Sequence, residues 1–170
     1  MDASGDDVSL SYEVTKTFAD KTVELKLTAG LSGTTVTGTF DTVDQMTEVS
    51  ALRTVSIGDR DIDIEPSFLV KAQTVRVKLM SVFGKDTIKA QIDQNKGEIA
   101  SVELGYERDL DNGQQLSATL APDAKTLDLE LTDSKFESGA TWVAKACVPL
   151  NDGTTLLDTA KLTLTRAWSW

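Results

Sequence analysis

The chain has 170 residues, 40% of them hydrophobic, with 27 Asp and Glu against 17 Lys and Arg and a net charge of -10. That length holds one domain or two small halves packed closely together, and the acidic balance excludes the clustered cations a nucleic-acid backbone requires. With no histidine and the single cysteine Cys147, the chain has no imidazole base or ligand, no Ser-His or Cys-His nucleophile and no intramolecular disulfide.

Alternation of apolar and polar residues starts at once and sets the secondary structure. Val8, Leu10, Tyr12 and Val14 share one side of a first strand, and Val23, Leu25 and Leu27 share one side of the next. The pattern predicts strands at 8-17, 22-29, 34-41, 49-57, 61-70, 73-82, 86-93, 98-108, 114-121, 125-132, 140-148 and 160-169. Gln45 to Leu52 is the one stretch with helical character, weakened by its Val and Thr neighbours. Asn112-Gly113 and Asp152-Gly153 suit tight hairpins, and Gly30, Gly33, Gly84 and Gly97 punctuate the remainder. Pro66 and Pro122 mark strand ends, edges or bulges. With short links throughout, the expected fold is all-β: an antiparallel meander of 11 or 12 strands.

Two echoes suggest modular construction. VSLSYE (Val8 to Glu13) returns as VELGYE (Val102 to Glu107), while TVELKL, TVRVKL and TLDLEL begin at Thr22, Thr74 and Thr126, 52 residues apart each time. Duplication would put Tyr12 and Tyr106 in equivalent places; chance recurrence of a simple strand alphabet is the competing explanation. The expected organisation is a first module over 1-97 and a second over 98-170, packed as a sandwich, with a single β-barrel as the alternative.

Few residues point to chemistry. In SIGDRDIDIEP the carboxylates of Asp59, Asp61, Asp63 and Glu65 share one strand face, but successive ones stand about 7 Å apart, too far to enclose one cation unaided. The stretch reads as a solvated acidic face. DLDNG at Asp109 to Gly113 has the wrong register for a calcium loop and reads as a hairpin turn. Sugar-cleaving carboxylate pairs sit among aromatic platforms, and aromatics are 6% here. No catalytic residue, metal ligand or cofactor is expected.

The tryptophans are concentrated at the end of the chain: Trp142, Trp168 and Trp170, with Arg166 beside the last pair. They are either anchors of a terminal core strand or an interface hot spot. Runs such as VRVKL and LDLEL are expected to interrupt the strands with charge on both faces, and only two Tyr are present. Both features argue against an outer-membrane barrel with its apolar band and aromatic girdles. No stretch is apolar for the roughly 18 residues of a membrane helix, and MDASGDD lacks signal-peptide character, so the chain reads as a mature or trimmed form. A lipocalin-like barrel lacks its glycine-tryptophan signature.

The phrases TVELKLTA, QQLSATLAP with AKTLDLEL, GATWVAKACVPL and the closing AKLTLTRAW resemble β-rich plastid proteins of diatoms and related algae, among them the pyrenoid shell proteins. The resemblance implies a duplicated β module that tiles around a Rubisco-containing compartment, and a plastid location. The resulting expectation is a non-catalytic structural protein that associates with itself, does not bind nucleic acid and does not enter membranes. Its main contact would be the C-terminal strand with Trp142, Arg166, Trp168 and Trp170. A barrel that binds a small apolar ligand or forms an outer-membrane pore is the alternative.

Overall fold

Every predicted strand forms. In the computed structural model, which describes residues 8–17, 22–43, 45–110, 113–137, 139–150 and 160–168, the strands are β1 (Val8–Thr17), β2 (Thr22–Leu31), β3 (Thr34–Asp41), β4 (Gln45–Ile57), β5 (Arg60–Leu69) and β6 (Thr74–Phe83), followed by β7 (Asp86–Asn95), β8 (Glu98–Asp109), β9 (Gln114–Ala121), β10 (Thr126–Glu137), β11 (Ala140–Pro149) and β12 (Lys161–Trp168). They build one twelve-stranded sheet in the order of the chain. Links of two to four residues join each successive pair up to β11, too short for anything but an antiparallel return, and an eleven-residue link leads to β12. Ser32-Gly33 and Lys96-Gly97 both carry positive φ at two successive residues, the backbone of the tight turn whose twist matches that of paired strands.

The strands form the antiparallel meander of twelve that the alternation predicts, and the sheet does not close into the alternative single barrel. β1 pairs with β2 alone and β12 with β11 alone. By their internal contacts the residues form two compact units, Met1–Leu79 with Ile92–Ala100, and Met80–Gln91 with Ser101–Trp170.

Three local expectations are corrected. β4 begins at Gln45, four residues earlier than the alternation indicated, because Gln45 takes a positive φ and a register shift between Thr39 and Phe40 absorbs the irregularity. The helical character of this stretch is overridden by pairing with β3. β10 continues to Glu137, five residues beyond its apolar pattern, since the Asp133 carboxylate accepts the backbone amides of Lys135 and Phe136 and carries the chain through a shift in register. Gly30 is no turn residue; it lies inside β2 opposite Ser9, where a Cβ would stand 2.5 Å from the serine Oγ.

The two echoes also fall apart. TVELKL, TVRVKL and TLDLEL open β2, β6 and β10, four strands apart, but VSLSYE and VELGYE lie in β1 and β8, seven strands apart. A repeat of four strands cannot carry Tyr12 onto Tyr106, so the β1 and β8 phrases are not part of it.

Candidate functional site

Cross-strand register sorts the side chains by face, because directly opposed residues point the same way. In the first unit, one face carries Val8, Leu10, Tyr12 and Val14 of β1, opposed to Leu31, Ala29, Leu27 and Leu25 of β2. It continues through Val36 and Phe40, then Val49, Ala51 and Val55, to Ile62, Ile64 and Phe68. Lys16, Arg53 and Arg60 are the charged residues of this face on β1–β5, Lys16 level with the β1–β2 hairpin and Arg60 at the β4–β5 turn. The other face carries Ser, Thr and carboxylates.

The second unit repeats the division. Leu104, Tyr106, Leu116, Ala118, Leu120, Leu127, Leu129 and Leu131 share a face with Val148, Ala146, Ala144, Leu162 and Leu164. Asp128 and Glu130 of LDLEL lie opposite Thr119 and Ser117 on one side and Cys147 and Lys145 on the other. In LDLEL the two carboxylates therefore share the face opposite the leucines, whereas Arg108, Asp133 and Arg166 stand on the leucine side.

Much of the apolar face is exposed at its edge strands, and its middle in the second unit is half-buried. Ala140 is the only buried hydrophobic residue among those described, no large side chain is fully enclosed, and Leu10 and Leu162 are 80% and 75% exposed. Burying one Leu or Val contributes about 1.5–3 kcal/mol, against about 1–2 kcal/mol of backbone entropy per ordered residue. The most exposed of these side chains therefore forgo most of that contribution.

The polar face is laced by ion pairs between strands. In the first unit Lys78 reaches Glu65 at 3.7 Å, and Arg76 grips Asp93 with two hydrogen bonds of 2.8 and 2.7 Å. Thr54 and Ser56 donate to Asp63 and Asp61, each at 2.6 Å, so two of the carboxylates singled out in SIGDRDIDIEP are held by hydroxyls across the hairpin. In the second unit Lys89 meets Glu107 at 2.6 Å and Lys145 meets Glu130 at 2.7 Å. Between β9 and β12 this face forms an open groove of about 360 Å³, lined by polar side chains such as Thr119, Asp128, Glu130 and Lys145 together with Leu129 and Ala146. Asp128 accepts a hydrogen bond from the Cys147 thiol and, with partial burial and the carboxylate charge, pushes its pKa up; Lys161 works weakly the other way.

Three of the four expected contact residues come together at the margin of the apolar face. Trp142 lies opposite Arg166, and Ala140 opposite Trp168. The Arg166 guanidinium stands 3.7 Å from the centre of the Trp168 ring and 5.1 Å from that of Trp142, and pairs with Glu137. Trp142 donates its indole N–H to Glu137 at 3.3 Å and takes the Phe136 ring edge-on at 6.2 Å. Trp170 lies outside the described residues.

Sequence reasoning missed Phe136 and Glu137, which depend on the irregular end of β10, and Asp133. Hydrogen bonds from Gln114 and from the Lys135 and Phe136 amides hold the Asp133 carboxyl below its ordinary range. A similar marginal group joins Tyr106, whose hydroxyl donates to Asp86 at 2.5 Å, with Arg108, 3.4 Å from the same carboxylate. Among the described residues no three His, Cys, Asp or Glu are grouped to hold a metal ion. No family model, curated protein or solved structure matches the chain.

Proposed function

We propose that the protein is a non-catalytic structural component whose copies join through the open edges of their sheets. The observation that carries this reading is the state of β1 and β12. Each has one neighbour, and each is exposed along its whole length. Such edges present unpaired N–H and C=O groups that most proteins shield with charge, proline or bulges. β12 has Lys161 at its start, Arg166 drawn back onto the indoles, and an uncharged LTLT between them.

Strand addition at these edges extends the meander without new topology, and the Trp142, Arg166 and Trp168 group lies beside the β12 edge, where it can anchor an incoming strand. The resemblance of the strand phrases to pyrenoid shell proteins supports the same reading and points to a plastid compartment. The groove is open and its lining is mixed, with hydroxyls, carboxylates and ammonium groups beside Leu129 and Ala146, so it gives an apolar ligand no enclosed pocket.

The test is sedimentation of the full chain against a variant with Thr163→Lys and Thr165→Lys. Both positions lie on the polar face of β12, so edge charge is added without touching the apolar face. The parent should form large species that grow with salt, which screens the net charge of -10, and the variant should not. A parent that stays monomeric at every salt concentration ends the proposal.

A further inference from the structure

The two open edges carry opposite charge on their polar faces. On β12 the polar face holds Lys161 as its single charged residue, since Arg166 points to the other side with the leucines. On β1 it holds Glu13 alone, between Ser11 and Thr15, while Lys16 lies on the apolar side. Among the described residues neither Glu13 nor Lys161 takes part in an ion pair. The edges also match in direction. In a meander of twelve antiparallel strands β1 and β12 run in opposite senses, so a β1 that follows β12 continues the alternation, and antiparallel pairing is the more stable kind.

We propose that β12 of one copy pairs antiparallel with β1 of the next, in the register that sets Lys161 opposite Glu13. The joint rests on the edge pairing proposed above and adds to it which edges meet and in what alignment. Counting from the ion pair, Leu162 comes opposite Tyr12 and Leu164 opposite Leu10, so the apolar residues of both strands fall on one side. All four are more than half exposed in the single chain, and the joint gives each an apolar neighbour.

Other alignments lose one of these matches. A shift of one residue sets leucines against serines. A shift of two keeps the faces but carries Lys161 to Ser11 or Thr15, leaving the opposite charges about 7 Å apart along the strand. Parallel pairing through the same two charges puts Leu164 opposite Lys16 and runs past the end of β1 after Thr165.

Joints between like edges have no such pair. Two β12 strands bring together only cations, Lys161 and Arg166, and in two β1 strands Glu13 and Lys16 lie on opposite faces and do not meet across the joint. The unlike joint is heterologous, so each added copy presents a fresh β1 or β12 to the next.

The experiment follows the full chain by sedimentation, at a salt concentration where the parent assembles. Glu13→Lys and Lys161→Glu each set like charges opposite one another and should each raise the concentration needed for assembly about tenfold. Glu13→Lys should do so although it lowers the net charge that disperses the chain. The double exchange should assemble like the parent. An equal mixture of the two single variants should assemble too, because each variant's β12 then meets the other's β1 with opposite charge. Independently, in a Cys147→Ser chain, Ser11→Cys with Thr163→Cys are directly opposed and should oxidise to disulfide-linked multimers, whereas Ser9→Cys with Thr163→Cys, two residues out of register, should not. Single variants that assemble at the parent's concentration, a double exchange or a mixture that does not recover, or a disulfide at Ser9→Cys in place of Ser11→Cys each overturns the register while edge joining stands. A parent that assembles at no salt concentration removes edge joining itself, and the register with it.

Discussion

Arg166 rests on Trp168, its guanidinium carbon 3.7 Å from the centre of the indole ring, and is held there by Glu137 from the end of β10. Cation and ring are joined from one strand while the carboxylate arrives from another, 29 residues earlier. The stack therefore fastens the edge strand β12 to the body of its unit.

Replacing Arg166 with Ala should loosen that edge. A partly exposed cation–π contact contributes about 0.5–1 kcal/mol, and the Glu137 pair, on side chains roughly a third exposed, adds little after solvent screening. A loss of about 1 kcal/mol in denaturant unfolding is expected, with a red shift in tryptophan emission. Arg166→Lys should recover only part of it, because an ammonium lacks the planar surface that stacks. An unchanged emission spectrum in Arg166→Ala would show that the stack does not form in solution.

Arg76 and Asp93 form the most sheltered of the cross-strand pairs, with side chains 27% and 13% exposed. Asp93→Asn removes the charge from a bidentate, sheltered pair and should cost about 1–2 kcal/mol. Lys145 and Glu130 are much more exposed, and Glu130→Gln should change stability by about 0–1 kcal/mol. Equal losses at the two sites would contradict the difference in shelter.

Acid should undo the end of β10 before the rest of its unit. The Asp133 pKa is lowered by Gln114 and the two backbone amides. A carboxylate with a depressed folded pKa contributes stability that is present above its unfolded value and is lost as pH falls through the folded one. Amide exchange at Lys135 and Phe136 should therefore accelerate as pH falls below the ordinary Asp range, after correction for intrinsic rates, and Asp133→Asn should abolish the pH dependence. Persistence of the dependence in Asp133→Asn would assign it elsewhere.

Cys147 should be a sluggish thiol. The raised pKa keeps it protonated where an ordinary cysteine begins to ionise, and the thiolate is the reactive form. Alkylation near pH 8.5 should be slower than for a free cysteine, and Asp128→Asn should accelerate it by removing the carboxylate that accepts its proton. No acceleration in Asp128→Asn would show that burial alone sets the rate.

Much of this was legible in the residues and some was not. Period-two alternation marked every strand, because a strand between two neighbours must place alternate side chains on opposite faces. The partition of Asp128 and Glu130 from Leu127, Leu129 and Leu131 was also present in LDLEL, and becomes decisive only when the registers of β9 and β11 carry it from strand to strand. The extension of β10 through DSKFE was hidden because it depends on one side chain, Asp133, bonding its own backbone two and three residues on. Glu137 could not be linked to Arg166 without the pairing of three strands. The exposure of the apolar face leaves no trace in alternation, since a strand under a second layer and a strand without one spell the same pattern.

The central claim, that copies join at their edges, is tested most directly by cross-linking β1 to β12. In a Cys147→Ser chain carrying Leu10→Cys and Leu164→Cys, both exposed on edge strands, a short bis-maleimide should give a ladder of covalent multimers on a denaturing gel, and either cysteine alone should give at most dimers. No cross-link, or only a monomer of altered mobility joined to itself, would contradict the claim.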